Sequence, residues 1–205
     1  LAEMKSLGIN VPPGFTISTE TCKTYYDSGK KILPEIYSQI ETKLAELEKK
    51  IGKTLGDSED PLLVSVRSGA AASMPGMMDT ILNLGLNDKS VVGLANKTGN
   101  ERFAWDSYRR LIQMFGDVVL EVDHDKFEHI LESVKESVGA KFDTDLSAED
   151  LKTIVKKYKE MVKKETKKDF QDNPKVKLEL AIKAVFNSWN NYRAVRYREI
   201  NNIKG

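Results

Sequence analysis

The sequence predicts an α+β fold, with a mixed α/β part over 1–99 and a mainly helical part over 100–184. Residues 185–205 are read as a helix that returns to the first part. Three observations lead there. Leu62–Val66 is a short apolar run rich in valine, the signature of a buried strand, and Ile81–Leu84 is a second candidate. From about Asn100 onward apolar residues recur at three- and four-residue spacing. Between the two strand candidates lies a run of very small residues, followed by a Pro-Gly pair bracketed by methionines.

In chain order, Leu1–Leu7 reads as a helix already under way that stops at Gly8, so a piece of a longer chain is expected. Val11-Pro12-Pro13-Gly14 is a rigid turn, and Phe15–Ser18 is expected as a short strand. Thr19 or Thr21 is expected to cap a helix that carries Cys22, Tyr25 and Tyr26 and ends at Gly29. Leu33–Ile51 is an amphipathic helix: Leu33, Ile36, Ile40, Leu44, Leu47 and Ile51 share a face, Pro34 suits the first turn, and Gly52 and Gly56 close it. Asp57–Asp60 is an acidic loop.

Beyond Asn100, Ala104, Tyr108, Leu111, Ile112 and Phe115 make one helical face, expected to end at Gly116; Val118–Val122 is a possible strand. Phe127, Ile130, Leu131, Val134 and Val138 make another, ended by Gly139. Ser147 caps a third, with Leu151, Ile154, Val155, Tyr158, Met161 and Val162 in register. Pro174 breaks the chain, and Asn173 before it is pushed out of the helical region. Leu178, Ala181, Ile182, Val185, Phe186 and Trp189 then make a fourth face. Trp105 and Trp189 are expected in the core.

Composition narrows the function. With 205 residues the chain buries a real core, and a net charge of +1 gives no overall pull toward nucleic acid or membrane. No apolar run approaches the roughly 20 residues needed to span a bilayer. The one cysteine, Cys22, rules out an internal disulfide framework and fits a reducing compartment, so the cytoplasm is expected, with organellar targeting left open. The lysine-rich stretch 152–168 keeps helical spacing without aromatic interleaving and reads as a solvated helix face. His124 and His129 lack further ligands of metal-site type, so no metal site is expected among these residues. No G-x-x-x-x-G-K-[ST] motif is present, which leaves a Walker-type NTPase unsupported.

The chemistry concentrates in Leu62–Leu86, LLVSVRSGAAASMPGMMDTILNLGL. Arg67 stands where the first strand runs out, and a guanidinium offers a fixed fork of donors matched to phosphate oxygens. The small residues after Ser68 let backbone N–H groups approach a ligand. In Ser73-Met74-Pro75-Gly76-Met77-Met78, Pro-Gly favours a turn with positive φ at glycine, and methionines give adaptable apolar contact. Asp79 and Thr80 follow, as candidates to orient the loop or as plain caps. For Arg67 the competing reading is a structural ion pair at a strand end. Arg193, Arg196 and Arg198, in YRAVRYRE, are read as a salt-bridged helix surface, which for Arg193 and Arg198 is favoured over a phosphate or interface role.

SVRSGAAASMPGMMDTILNLGLN resembles the nucleotide-binding part of the pyruvate, phosphate dikinases. LAEMKSLGINVPPGFTIST and FNSWNNYRAVRYRE extend that resemblance over nearly the whole chain. The resemblance implies part of an ATP-grasp-like domain that takes ATP and phosphate and passes the β-phosphoryl group to a histidine on a separate domain. A further barrel domain then phosphorylates pyruvate and also forms the homodimer. On this resemblance Arg67 binds the ATP phosphates, and Ser68, Met74, Gly76, Met77, Met78, Asp79 and Thr80 complete the nucleotide-facing set. Mg2+ is implied as well, with its ligands expected outside this chain. Two alternatives stay open: a phosphoenolpyruvate synthase-like dikinase, and a non-catalytic helical interaction module with a vestigial nucleotide site.

Overall fold

The computed structural model describes residues 2–69, 72 and 74–203. Ser73, which opens the methionine loop, lies outside the described residues, as do Ala70 and Ala71. The chain divides into two compact units, Leu1–Thr54 and Leu55–Gly205.

The first unit is helical. It contains α1 (Ala2–Ser6), α2 (Thr19–Asp27) and α3 (Pro34–Ile51). The strand expected over Phe15–Ser18 is irregular chain instead. Its extended end serves a different purpose: Ser18 caps α2, and its hydroxyl accepts from the Thr21 amide at 3.3 Å. The cap is thus Ser18 and not Thr19 or Thr21, because the residue that caps must still be extended when the helix begins. In α3, Pro34 occupies the first turn, where its missing N–H costs nothing. Gly52 ends the helix at φ 75°, and its amide returns to the Glu48 carbonyl. Ile40, Leu44 and Leu47 are the buried part of the apolar stripe.

The second unit holds the hairpin and the remaining helices. Strands β1 (Val64–Arg67) and β2 (Thr80–Leu84) pair antiparallel. The first strand starts two residues later than the apolar run does. Leu62 instead makes a lone parallel bridge to Leu55 and is buried. The helices are α4 (Ser90–Thr98), α5 (Glu101–Val118), α6 (His124–Val138), α7 (Ala148–Thr166), α8 (Pro174–Ser188) and α9 (Tyr192–Ile200). Helix α5 is the hub: it meets α4, α6, α7 and β2, while α8 lies against both strands. Tyr108, Leu111, Ile112 and Phe115 of α5 are fully buried, and the Phe127 and Tyr158 rings meet edge-on at 5.0 Å.

Gly116 does not end α5. The helix runs on to Val118, and the glycine is buried because the Phe127 ring rests where a Cβ would stand. Nor is Val118–Val122 a strand. Its valines finish the helix, the Val122 amide returns to the Gly116 carbonyl at 3.0 Å, and Glu121 turns the chain at φ 55°. Ser147 and Asp150 form the capping box of α7. Asn173 caps α8, with Pro174 as its first residue. Trp105 and Trp189 are half-buried, not core. Each instead lies under a cation, Lys152 for Trp105 and Arg198 for Trp189.

Candidate functional site

The open end of the hairpin brings the candidate residues together. Arg67 is the last residue of β1 and Thr80 the first of β2, and they are register partners. Val66 pairs with the wholly buried Ile81 one step along, so the strand alternation sends Arg67 to the opposite, exposed face. Among the described residues its guanidinium has no hydrogen bond or ion pair, so the fork that a strand-end salt bridge would have occupied is open. Ser68, also exposed, follows it.

Met74-Pro75-Gly76-Met77 forms a turn closed by the Met77 amide on the Met74 carbonyl at 3.2 Å. Gly76 stands at φ 71°, as Pro-Gly chemistry predicts for the third residue of a type II turn. Met74, Met77 and Met78 are partly exposed.

The return limb of the loop is held by the elbow between α8 and α9, which sequence reasoning missed. The Asp79 amide donates to the Ser188 hydroxyl at 3.1 Å, and that hydroxyl donates to the Val185 carbonyl. The Asn191 side-chain amide donates to the Met77 carbonyl at 3.1 Å, and Arg193 reaches the Asp79 carboxylate at 3.2 Å. Burial pushes the Asp79 carboxyl up from its ordinary range; Arg193 opposes the rise, and the Asp117 charge adds to it. No local pattern points to Ser188 or Asn191. They lie more than a hundred residues along the chain from their partners, and the only available signal was the arginine-rich segment after them.

The other two arginines of that segment have internal duties. Arg196 pairs with Glu199 at 2.6 Å on the surface of α9. Arg198 is buried, lies over the Trp189 ring at 4.0 Å and donates to the Trp189 carbonyl. His124 is bonded to Asp117 at 3.0 Å, and His129 is exposed. Cys22 is half-buried, and burial raises its thiol pKa. Among the described residues no group of three or more His, Cys, Asp or Glu side chains is arranged to hold a metal ion, and the charged partner of Asp79 is an arginine. These residues do not fit a Mg2+ site.

The hairpin, turn and elbow can be set beside known proteins. A family model described as "Pyruvate phosphate dikinase, AMP/ATP-binding domain" matches residues 32–205. The chain belongs to this family. It is 57% identical over 206 residues to pyruvate, phosphate dikinase of Clostridium symbiosum, which covers all of this chain and 24% of that protein. It is 57% identical over 205 residues to the chloroplastic pyruvate, phosphate dikinase 1 of Arabidopsis thaliana, covering all of this chain and 21% of that one. The chloroplastic pyruvate, phosphate dikinase 1 of Zea mays is 55% identical over 205 residues, again covering the whole chain and 22% of the relative. The chain therefore spans about a fifth to a quarter of these relatives.

This member of the dikinase family carries a second polar cluster in its helical part. Lys177 of α8 is wholly buried, donates to the Leu86 carbonyl and lies 5.6 Å from the Phe170 ring. Burial pulls its pKa down to about 8; Asp172 and Asp88 oppose that, and Lys159 adds to it. Nearby, Asp88 accepts from Tyr108 at 3.0 Å and from Lys159 at 2.6 Å. Burial, reinforced by Asp88, pushes the Tyr108 phenol far up.

Among the described residues no helix is long and apolar enough to cross a membrane.

Proposed function

We propose that this chain is the part of a pyruvate, phosphate dikinase that grips the phosphates of ATP, as one portion of an ATP-grasp-like domain. The observation that carries the reading is the exposed Arg67 fork at the mouth of the hairpin, opposite Thr80 and without a partner among the described residues, in a chain of this family. The supporting chemistry is local. The strand fixes the backbone that carries the guanidinium, and the guanidinium can face the phosphates with two parallel N–H donors. The Met74–Met77 turn gives an adaptable apolar cover, and Ser68, Met78, Asp79 and Thr80 complete the lining.

On this reading the full reaction is ATP, phosphate and pyruvate going to AMP, diphosphate and phosphoenolpyruvate. The β-phosphoryl group is carried on a histidine of another domain of the longer protein. Arg67 does no covalent chemistry. It holds the polyphosphate in line and stabilises charge as the bond to the departing AMP breaks, which is how most phosphoryl-transfer sites work. Mg2+ would shield the phosphates, with ligands supplied by other parts of the longer chain.

The test separates the two halves of the reaction. Arg67→Leu in the intact enzyme is expected to slow the ATP-plus-phosphate half-reaction by about 10²-fold or more, as removal of a charge-stabilising donor does elsewhere. The exchange between pyruvate and phosphoenolpyruvate should stay near wild type. Equal loss of both halves overturns the assignment.

A further inference from the structure

We infer that the α8–α9 elbow is a clasp, and that Ser188, Asn191 and Arg193 are positioning residues for the nucleotide; this rests on the site proposed above. Three observations on three side chains meet here. Asn191 takes the Met77 carbonyl, Ser188 takes the Asp79 amide, and Arg193 takes the Asp79 carboxylate. Two of these three contacts grip main chain, and none uses a methionine side chain, so Met74 and Met77 keep their apolar groups for a ligand. The clasp holds the loop from its return limb. Asp79 runs directly into Thr80, whose register partner is Arg67. Helix α8 lies against both strands, so the elbow is anchored on the hairpin that carries Arg67. The elbow thereby sets where the Met74–Met77 turn stands relative to the Arg67 fork.

The rigidity has a visible source. Asn191 also caps α9: its side-chain oxygen accepts from the Ala194 amide at 2.7 Å while its nitrogen serves Met77. One side chain thus fixes both the start of the helix and the loop. Ser188 is buried and bonded in both directions, to Asp79 and to Val185. Arg193 is the exposed arm, its side chain 62% accessible against 21% for Asp79, so this contact is open to exchange with solvent ions.

The double duty of Asn191 makes a clean experiment possible. In the intact enzyme, Asn191→Asp keeps the oxygen that caps α9 and removes the donor to Met77. The KM for ATP should rise about fivefold, the equivalent of one lost hydrogen bond, with the KM for pyruvate unchanged and Tm within about 2 °C of wild type. Arg193→Met should raise the ATP KM in the same direction, and Arg193→Lys should restore most of the loss at low ionic strength. Arg67→Leu runs alongside as the control. If it abolishes the ATP half-reaction while Asn191→Asp and Arg193→Met leave the ATP KM at wild type, the clasp is wrong and the site stands. If Arg67→Leu leaves the ATP half-reaction intact, the site reading falls and takes the clasp with it. A matched fall in Tm, with the ATP and pyruvate KM values rising together, marks a purely structural contact and also overturns the inference.

Discussion

Lys177 shows what a single residue in this chain can cost. Its ammonium is wholly buried, with one carbonyl as acceptor and the Phe170 ring beside it. The charged groups that face it are Asp172, Asp88 and Lys159, and the two carboxylates do not offset the lost hydration, so the pKa falls from 10.5 to about 8. The consequence for stability has a definite sign. Below about pH 8 the lysine is protonated both folded and unfolded, and the folded state bears the whole desolvation penalty. Between about 8 and 10.5 the unfolded chain holds the proton more tightly, so stability from this group rises with pH through that window. The full change is about 3 kcal/mol, from a shift of this size. Lys177→Met removes the titration. The wild type should therefore gain stability relative to the variant between pH 8 and 10, read as a difference in urea midpoints. A constant difference across that range would disprove the buried, proton-shedding lysine. Sequence reading could not have singled out Lys177, because nothing in its immediate pattern distinguishes it from the many solvated lysines around it.

At the scale of elements, legibility followed locality. Helices α3, α5, α6 and α7 could be read because each repeats an apolar stripe over several turns. Several helix ends followed from residues that act on their own neighbours: Pro34 and Gly52 for α3, Gly139 for α6, Ser147 for α7 and Pro174 for the start of α8. The Pro75-Gly76 turn was legible for the same reason. Helix α4 escaped notice because its N-cap, Lys89, makes no side-chain cap bond; Asn87, two residues earlier, accepts from the Lys89 and Ser90 amides instead. The elbow escaped because its bonds join distant parts of the chain. Gly116 misled because a glycine inside a helical pattern usually marks an end. Here it admits a ring: beyond the atom in closest approach, two more Phe127 carbons lie 3.2 Å from the ideal Cβ position. This reverses the usual expectation for substitution. Gly→Ala inside a helix ordinarily gains up to about 1 kcal/mol. Gly116→Ala should instead cost about 1–3 kcal/mol, because the Phe127 ring is fully buried and has nowhere to retreat. Guanidinium unfolding would show it as a lower midpoint with an unchanged slope; a higher midpoint would mean that the ring moves aside freely.

On the scale of the whole molecule, the share of its relatives that the chain spans bears on what it can do alone. It aligns with only 21–24% of the length of the three dikinases compared above. The proposed role needs a histidine domain to accept the phosphoryl group and a pocket to present pyruvate, and in our proposal both lie outside this chain. The chain's own two histidines both stand on α6, not in the hairpin, turn or elbow. His124 is engaged by Asp117 and Glu128, and His129 stands exposed on α6. An open arginine fork and a clasped turn can orient a polyphosphate, but orientation accelerates a transfer only when an acceptor is held in line with it. The chain alone, given ATP, phosphate, Mg2+ and pyruvate, should therefore yield no phosphoenolpyruvate above the protein-free baseline in a coupled assay. The intact enzyme should form one diphosphate for each phosphoenolpyruvate and stop when phosphate is withheld. Steady phosphoenolpyruvate production by the chain alone would place an acceptor and a pyruvate site within these residues and overturn the division. Production by the intact enzyme without added phosphate would move it toward the synthase-type reaction.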